Sequence, residues 1–572
     1  MITKGSTLFQ MMKFGVLVWP NLLTTYLMSI MATYLTGVWE ISITHAAIIV
    51  NLYSGLVGIM PVGLKLLVDT FIGSFWVVLL SRFAFAAGLV LLTMSTPPVL
   101  SRATGTCNSY DPECIGRVQR ILFYTGLPLI AVGVAGHLSS LMEFVESQIP
   151  PPTYEQLLPS QSNVSKPEAD ENDHLLCQIR SWKGFFFVML SLLVPGVAIA
   201  IIGYVNPWSF KFGIPATFTV VSILIFTSGL CSYERPKPDP SILSRVFRKF
   251  DTRSIIWFIP LCMNFVLIGV VLSVGSTFFI EQATDLNPYV GKLLIPILIL
   301  PAMQELTKKI CAGPIEIFAR LPDLSILWSI IFAALSCITA AKVETRRLNV
   351  VKSYGVLDEP EKIIPMTLFW LVPQFALLGL AEELADKTLQ NVFVIQVEPR
   401  TLFDSVPAFL IGLKIFLKLD INDDEETKES NRKVMVRFKE TMRSRRAYKE
   451  SLAQAVKGVG IICGVLSVYL VGQISSIGGK PSWFQYTINR SRLDNYYWTL
   501  AALCATNLFC FMFLKCKYPQ DPELLQYQHE CREHTKLVQG LEELEDPDLV
   551  SDDVKAKWTA IYNQMATEHP DW

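Results

Sequence analysis

Long apolar runs alternate with short polar stretches over most of the chain. Runs of about 20 residues are long enough to cross a bilayer as helices, and uniformly apolar runs of that length do not occur on the surface of soluble proteins. Such segments can be placed at residues 14–36, 44–67, 76–96, 121–145, 181–203, 209–231, 254–277, 290–311, 324–342, 364–393, 452–474 and 495–516. The pattern predicts an all-α membrane protein with twelve transmembrane helices.

The distribution of Lys and Arg predicts the orientation of these spans. Residues 232–253 and 394–451 are rich in both, and short basic loops stay on the cytosolic side. Because the number of spans is even, both termini are then cytosolic. Cys107 and Cys114 would lie outside, where a disulfide persists, as would the glycosylation pattern at Asn489. Two free thiols and an unused pattern are the alternative.

Composition agrees with a membrane protein and excludes several function classes. Of 572 residues, 51% are hydrophobic and 17% are charged, and the mean hydropathy is +0.40. The net charge of -1 gives no sign of a nucleic-acid partner. The twelve cysteines show no metal-ligand spacing, and the chain has no phosphate-binding glycine loop or nucleophile elbow. We therefore predict no enzyme, no metal and no cofactor, with the lipid bilayer as the surroundings.

The spans fall into two groups of six. We predict an N-terminal bundle at 1–231, a short basic cytosolic linker at 232–253, a C-terminal bundle at 254–516 with a cytosolic insertion at about 399–451, and an acidic cytosolic tail at 517–572. This arrangement indicates the two halves of a major-facilitator transporter, which rock about a site near the midplane.

The tenth span is apolar, yet its second half contains Glu382, Glu383, Asp386 and Lys387. Ionisable groups in a span cost several kcal/mol unless they face protein or water, so they mark a transport pathway or a conformational lock. In one interpretation Glu382 is a titratable coupling site. In the other, Glu383 pairs with Lys387 along the helix, while Glu382 and Asp386 face a wet cytosolic vestibule.

Several segments resemble the proton-coupled oligopeptide transporter family, particularly its plant nitrate and peptide transporter branch. They are Gly184 to Pro215, STFFIEQ from Ser276, VETRRL from Val343, PMTLFWLVPQFALLGLAEE from Pro365, GGKPSW from Gly478 and LDNYYWTLAALCATNLF from Leu493. The resemblance covers most of residues 14–516. It implies a twelve-span major-facilitator fold and proton-driven uptake of nitrate, short peptides or small organic anions. We expect the plasma membrane, with the vacuolar membrane as the alternative.

The chain departs from this family where the resemblance places its coupling residues. The family's Glu-x-x-Glu-Arg motif of the first span falls on Leu17 to Asn21, which contains no ionisable group. The fourth span reads Gly136-His137-Leu138, where the resemblance implies a lysine that pairs with Glu382. Leu272 stands where nitrate-transporting relatives have a histidine. The usual route to proton coupling is therefore lost.

Other family positions are retained, and they complete the candidate site. The cytosolic gate motif between the second and third spans keeps Asp69, Gly73 and, as a candidate, Arg82. Polar and aromatic groups suit a site for small polar solutes, so the candidate cavity and coupling residues are Glu382, Tyr34, Asn21, His137, Trp370 and Gln374.

A short motif between the fourth and fifth spans indicates a second kind of partner. Pro151, Pro152 and Tyr154 form a Pro-Pro-x-Tyr pattern, which WW domains bind as a polyproline helix.

The sequence therefore predicts a transporter of a small solute, of the peptide, nitrate or organic-anion class, that works by alternating access and in which protons are a candidate co-substrate. The alternative is a transport-incompetent relative that acts as a regulatory or scaffold protein. A proton-independent nitrate or chloride facilitator is a third possibility, disfavoured by Leu272 and by the lack of a clear cation in the spans that line the cavity.

Overall fold

The computed structural model describes residues 4–148, 196–197, 199–235, 237–238, 240, 252–319, 321–359, 362–397 and 425–517. We name each long helix by the predicted span that it matches. Their bounds are, for the first span, Lys4–Ser29 continued by Met31–Gly37; second, Ile43–Leu67 with the π-turn Val68–Ile72; third, Ser74–Met94; fourth, Arg117–Ser147; sixth, Trp208–Thr227; seventh, Thr252–Gly275; eighth, Ile299–Phe318; ninth, Pro322–Tyr354; tenth, Val372–Val397; eleventh, Glu425–Ser475; and twelfth, Leu493–Lys517.

Short elements connect these helices. They are the helices Pro97–Thr104 and Phe278–Glu281, the 3-10 turns Pro112–Cys114 and Leu368–Leu371, the π-turn Ile199–Gly203, and four strands at Leu286–Asn287, Tyr289–Val290, Leu293–Leu294 and Ile364–Thr367.

Most of the predicted spans are helices that can cross a membrane. Within the described residues nine helices are long and apolar enough, or ten if the first-span pair, which bends by 46°, counts as one span. The eighth-span helix is not among them, because it carries Glu305, Lys308, Lys309 and Glu316. Most of the predicted fifth span lies outside the described residues.

Two predicted boundaries are wrong. The eighth span was placed at 290–311, but Tyr289–Val290 and Leu293–Leu294 form an antiparallel hairpin, and Gly291 adopts the φ of +62° that its tight turn needs. The tenth span was placed from 364, but Ile364–Thr367 is extended and pairs with Leu286–Asn287. The residues of the hairpin are apolar but exposed, whereas Ile364 and Met366 of the extended segment are buried, so hydrophobicity alone does not separate either segment from the helices.

The eleventh-span helix is much longer than a membrane crossing. It runs for 51 residues, from Glu425 to Ser475, which is about 76 Å at 1.5 Å per residue. Only the part from Ala447 to Ser475 is apolar enough to span a bilayer. The predicted insertion at 399–451 is therefore not a separate segment over its second half, since residues 425–451 continue into the span.

Glycines bring the two halves together along the eleventh-span helix. A Cβ atom on Gly58 of the second-span helix would lie 2.9 Å from the Cα of Gly458. On another face, a Cβ atom on Gly269 of the seventh-span helix would lie 2.7 Å from the Cα of Gly460. Membrane helices approach this closely where side chains are absent. The eleventh-span helix is thus fixed between the N-terminal half and the seventh-span helix.

Candidate functional site

Four charged side chains from three helices meet in the C-terminal half. We call Lys308, Glu382, Asp386 and Lys457 the charge cluster. Glu382 Oε2 lies 3.2 Å from Lys308 Nζ, and Glu382 Oε1 lies 3.3 Å from Lys457 Nζ. Lys457 Nζ also lies 2.6 Å from Asp386 Oδ2. The side chains are 14–22% exposed, so the cluster is largely removed from water. Lys308 Nζ also lies 2.9 Å from Oε1 of Glu305, a more exposed carboxylate one turn earlier on the eighth-span helix.

Local sequence explains how the charge cluster forms. Glu382 and Asp386 are four residues apart on the tenth-span helix, which puts them on one face. Gly379 lies one turn earlier, and a Cβ atom there would be 2.6 Å from the carbonyl oxygen of Gln304. This close approach brings the eighth-span helix to Glu382, which accepts a hydrogen bond from Gln304 Nε2 at 3.0 Å. The glycines beside Lys457 hold its helix close on the other side.

These contacts correct two predictions about the tenth span. Glu382 is not without a basic partner, because Lys308 and Lys457 replace the lysine that the fourth span lacks. Glu382 and Asp386 do not face an open vestibule, because both bind lysine in a mostly buried site. The prediction that the spans lack a clear cation is also wrong. Both lysines are visible within the predicted eighth and eleventh spans, and that was the signal that sequence reasoning missed.

A second, fully buried network surrounds Arg347 near the end of the ninth-span helix. Arg347 holds Glu344 through Nε and Nη2 at 2.9 and 2.8 Å, and its Nη1 donates to Asp285 and Asn489 at 2.6 and 2.7 Å. This network ties together the ends of the helices on the predicted external side. Asn489 is only 2% exposed, so it is not the accessible glycosylation site that its sequence pattern predicted.

Gln374, a predicted cavity residue, belongs to this network. Its Nε2 donates to Gln282 Oε1 at 3.1 Å, and Gln282 in turn donates to Glu344 at 2.6 Å. Gln374 is completely buried. Its observed role is therefore to support the Arg347 network.

The gate motif divides into two separate places. Asp69 accepts hydrogen bonds from Lys65 Nζ at 2.7 Å and from Tyr448 Oη at 2.8 Å, and Lys65 also binds Glu143. Tyr448 lies on the eleventh-span helix, so Asp69 joins the two halves. Gly73 immediately precedes the third-span helix and has a φ of +80°, which favours glycine.

Arg82 does not belong with Asp69. It lies within the third-span helix, completely buried, and its Nη1 donates to Asn21 Oδ1 at 3.1 Å. The structure thus brings together two predicted site residues, Asn21 and Arg82, that the sequence had assigned to different roles.

The remaining candidates are dispersed. Tyr34 is buried between Trp208 and Phe212, with both ring centroids 5.0 Å away, and His137 is half-buried. Trp370 is 42% exposed, with the guanidinium of Arg346 4.0 Å from its ring centroid. Trp370 and Arg346 line an open groove of about 670 Å³ beside the ninth-span helix, and the role of Trp370 in the transport cavity stays a prediction.

Two further predictions concern loops between spans. Cys107 and Cys114 form a disulfide, with Cα atoms 4.9 Å apart. The Pro-Pro-x-Tyr motif at Pro151, Pro152 and Tyr154 lies outside the described residues and stays a prediction.

Comparison with known proteins identifies the relatives of this chain. Residues 75–295 match the family model described as PTR2: POT family. The protein NRT1/PTR FAMILY 5.5 of Arabidopsis thaliana is 28% identical, with 88% of this chain and 96% of the relative covered. NRT1/PTR FAMILY 5.14 of the same plant is 24% identical, with 85% and 88% covered. The chain is thus similar to the POT family over residues 75–295 and to these plant proteins over most of its length.

Solved structures show that the fold is that of POT transporters. An auto-inhibited POT family peptide transporter matches with a TM-score of 0.54 at 13% identity, covering 89% of this chain and 97% of that one. A POT family transporter in complex with a thioalcohol-conjugated peptide matches with a TM-score of 0.51 at 12% identity, covering 89% and 96%. The predicted family resemblance and major-facilitator fold are confirmed, and the chain is a multi-pass membrane protein.

Proposed function

We propose that this POT-family relative transports a small polar solute, of the peptide, nitrate or organic-anion class, by alternating access, and that the charge cluster is its coupling site. The observation that carries this proposal is that Glu382 is shared by Lys308 and Lys457, which come from two other helices. The cluster takes over the role of the charges that the first span has lost.

The exchange of partners within the charge cluster gives it a mechanism. Burying charges is costly, and the cost is offset only while each carboxylate keeps a cation. A proton arriving at Glu382 removes one of the two carboxylate partners of each lysine, which leaves Lys308 with Glu305 and Lys457 with Asp386. A carboxylate on the solute can then replace the lost partner. Because the partners lie on the eighth-, tenth- and eleventh-span helices, each exchange changes how strongly these helices are held together.

Contacts between the halves support alternating access. On the predicted cytosolic side, Asp69 accepts the hydrogen bond from Tyr448 of the eleventh-span helix. On the opposite side, Tyr204 Oη donates to the carbonyl oxygen of Leu294 at 2.9 Å. We propose that these contacts are the two gates, of which one must open in each half of the cycle. Each of these hydrogen bonds is worth about 1 kcal/mol, as is the one that Tyr486 Oη donates to the carbonyl oxygen of Glu40 on the external side, so they can break without unfolding a helix.

Uptake measurements test this proposal. The full chain is expressed in oocytes, and uptake of dipeptides, nitrate, chloride and plant glucosides is measured at acidic and neutral external pH. Glu382→Gln and Lys308→Gln are compared with Glu383→Gln and Lys309→Gln, which make the same changes at the neighbouring positions. A fluorescent fusion checks surface delivery and distinguishes the proposed plasma membrane from the vacuolar membrane.

Each outcome has a distinct meaning. Uptake that rises with acidity and is lost in Glu382→Gln, but not in Glu383→Gln, supports coupling at the charge cluster. Uptake that is independent of pH in every variant indicates a facilitator that is not coupled to protons. Absence of uptake for every solute, with normal surface delivery, contradicts the transport proposal and favours a regulatory or scaffold protein.

A further inference from the structure

The third-span helix carries a buried cation whose charge no described carboxylate neutralises. Arg82 is completely buried, and its Nη1 is satisfied by Asn21 Oδ1 at 3.1 Å. Its Nε and Nη2 are buried too, and neither has a hydrogen-bond acceptor within the part of the chain that the structure describes. A buried guanidinium with two unused donors is strongly unfavourable unless something else supplies negative charge.

The sequence shows that the surrounding spans cannot supply it. The predicted first, third, fifth and sixth spans contain no Asp or Glu at all. The predicted second span contains none either, while Asp69, just beyond it, and Glu143, the one carboxylate of the predicted fourth span, are both bound to Lys65. The counter-charge of Arg82 therefore has to come from a group that is not part of these helices.

The two unused nitrogens define the shape of that group. Nε and Nη2 project their N–H bonds side by side from one edge of the guanidinium, which fits two oxygens of a planar anion. This chain uses the same edge elsewhere. Arg347 holds Glu344 with Nε and Nη2 at 2.9 and 2.8 Å, and Arg492 holds Asp494 at 3.0 and 2.9 Å. In Arg82 this edge faces no carboxylate of the described chain.

We propose that Arg82, positioned by Asn21, is a binding site for a planar oxyanion, either nitrate or the carboxylate of a small solute. Asn21 occupies the position where the family resemblance places the arginine of the first-span motif. The guanidinium of Arg82, on the third-span helix, thus lies beside that position of the first span. The inference rests on the proposed transport function only in taking the anion as the transported solute or its co-substrate. Binding itself requires no transport.

Binding to the purified full chain in lipid nanodiscs tests the site. Nitrate, acetate and a dipeptide are titrated by calorimetry, with chloride as a spherical anion that cannot bridge both nitrogens with separate oxygens. Arg82→Lys keeps the charge but loses the paired donors, and Arg82→Met removes both. Arg120→Gln is the matched control, because Arg120 is exposed.

We expect saturable binding of nitrate or a carboxylate to the wild type and to Arg120→Gln, and at least tenfold weaker binding to Arg82→Lys. Binding should be lost in Arg82→Met, whose melting temperature without anion should not fall, because a buried charge without a carboxylate partner has been removed. Whichever of nitrate, acetate and dipeptide binds identifies the source of the oxyanion.

Three results would overturn the site: no oxyanion binds to the wild type, chloride binds as tightly as the oxyanions, or Arg82→Lys binds as well as the wild type. The last comparison stands even if Arg82→Met fails to fold. A wild type that takes up solute but binds no oxyanion refutes this site alone, whereas a wild type that binds an oxyanion but takes up no solute refutes the proposed transport instead.

Discussion

Replacing Lys457 by Met tests whether the charge cluster holds the eleventh-span helix to the tenth. The change leaves Asp386 without the ammonium group 2.6 Å away and leaves Glu382 with Lys308 alone. Removing one partner of a buried ion pair costs about 3 to 5 kcal/mol. Because these side chains keep some exposure to water, we expect the lower end of that range, about 3 kcal/mol of unfolding free energy.

A double-mutant cycle separates this loss from general damage. Asp386→Asn alone should cost about 2 kcal/mol, since its amide still accepts a hydrogen bond but no longer balances the lysine. If the two groups interact directly, the double variant should lose at least about 1.5 kcal/mol less than the sum of the single changes. Unfolding is followed in mixed micelles, with Lys309→Met as the exposed control. Additive losses, within about 0.5 kcal/mol, would refute the pairing.

Three other changes probe different parts of the molecule. Gly379→Val should lower both stability and uptake, because a Cβ atom there would lie 2.6 Å from a backbone carbonyl oxygen of the eighth-span helix. The control Gly313→Val should be tolerated, because no atom lies within 4 Å of a Cβ atom at that position. Equal unfolding midpoints for the two variants would contradict the helix contact. Tyr448→Phe removes the gate hydrogen bond to Asp69, so a thiol reagent added on the cytosolic side should label the cysteines of the protein more strongly. Tyr469→Phe changes an exposed tyrosine and should leave this labelling unchanged. Asn489 should carry no glycan in eukaryotic cells, and a glycosidase-sensitive gel shift that disappears in Asn489→Gln would show that its buried position is wrong.

The sequence predicted the broad architecture because membrane insertion leaves a local signal. Each apolar run identifies a span without reference to its neighbours, so most spans lie close to their predicted positions. Boundaries failed where apolar residues serve protein contacts, as in the extended segment from Ile364 to Thr367. Hydrophobicity there reflects burial against other residues, and that depends on packing that the local pattern does not contain.

The candidate site was only half predictable for the same reason. Glu382 was conspicuous because a carboxylate in an apolar run is costly. Its partners were also in the sequence, but nothing local connects Lys308 or Lys457 to it, and the contact depends on the close helix approach at Gly379. The prediction of an accessible glycosylation site at Asn489 was wrong because a three-residue sequence pattern carries no information about burial.

The length of the eleventh-span helix has a mechanical consequence. Its predicted cytosolic part, from Glu425 to Arg446, continues the membrane segment without a break and extends about 33 Å at 1.5 Å per residue. A helix this long moves as a lever, so a tilt of about 10° at the membrane displaces its outer end by about 6 Å. Spin labels at Glu425 and at a fixed N-terminal site would register that displacement when solute binds. A small tilt of the helix within the membrane would thus produce a larger displacement of its cytosolic end, where a soluble protein can bind it.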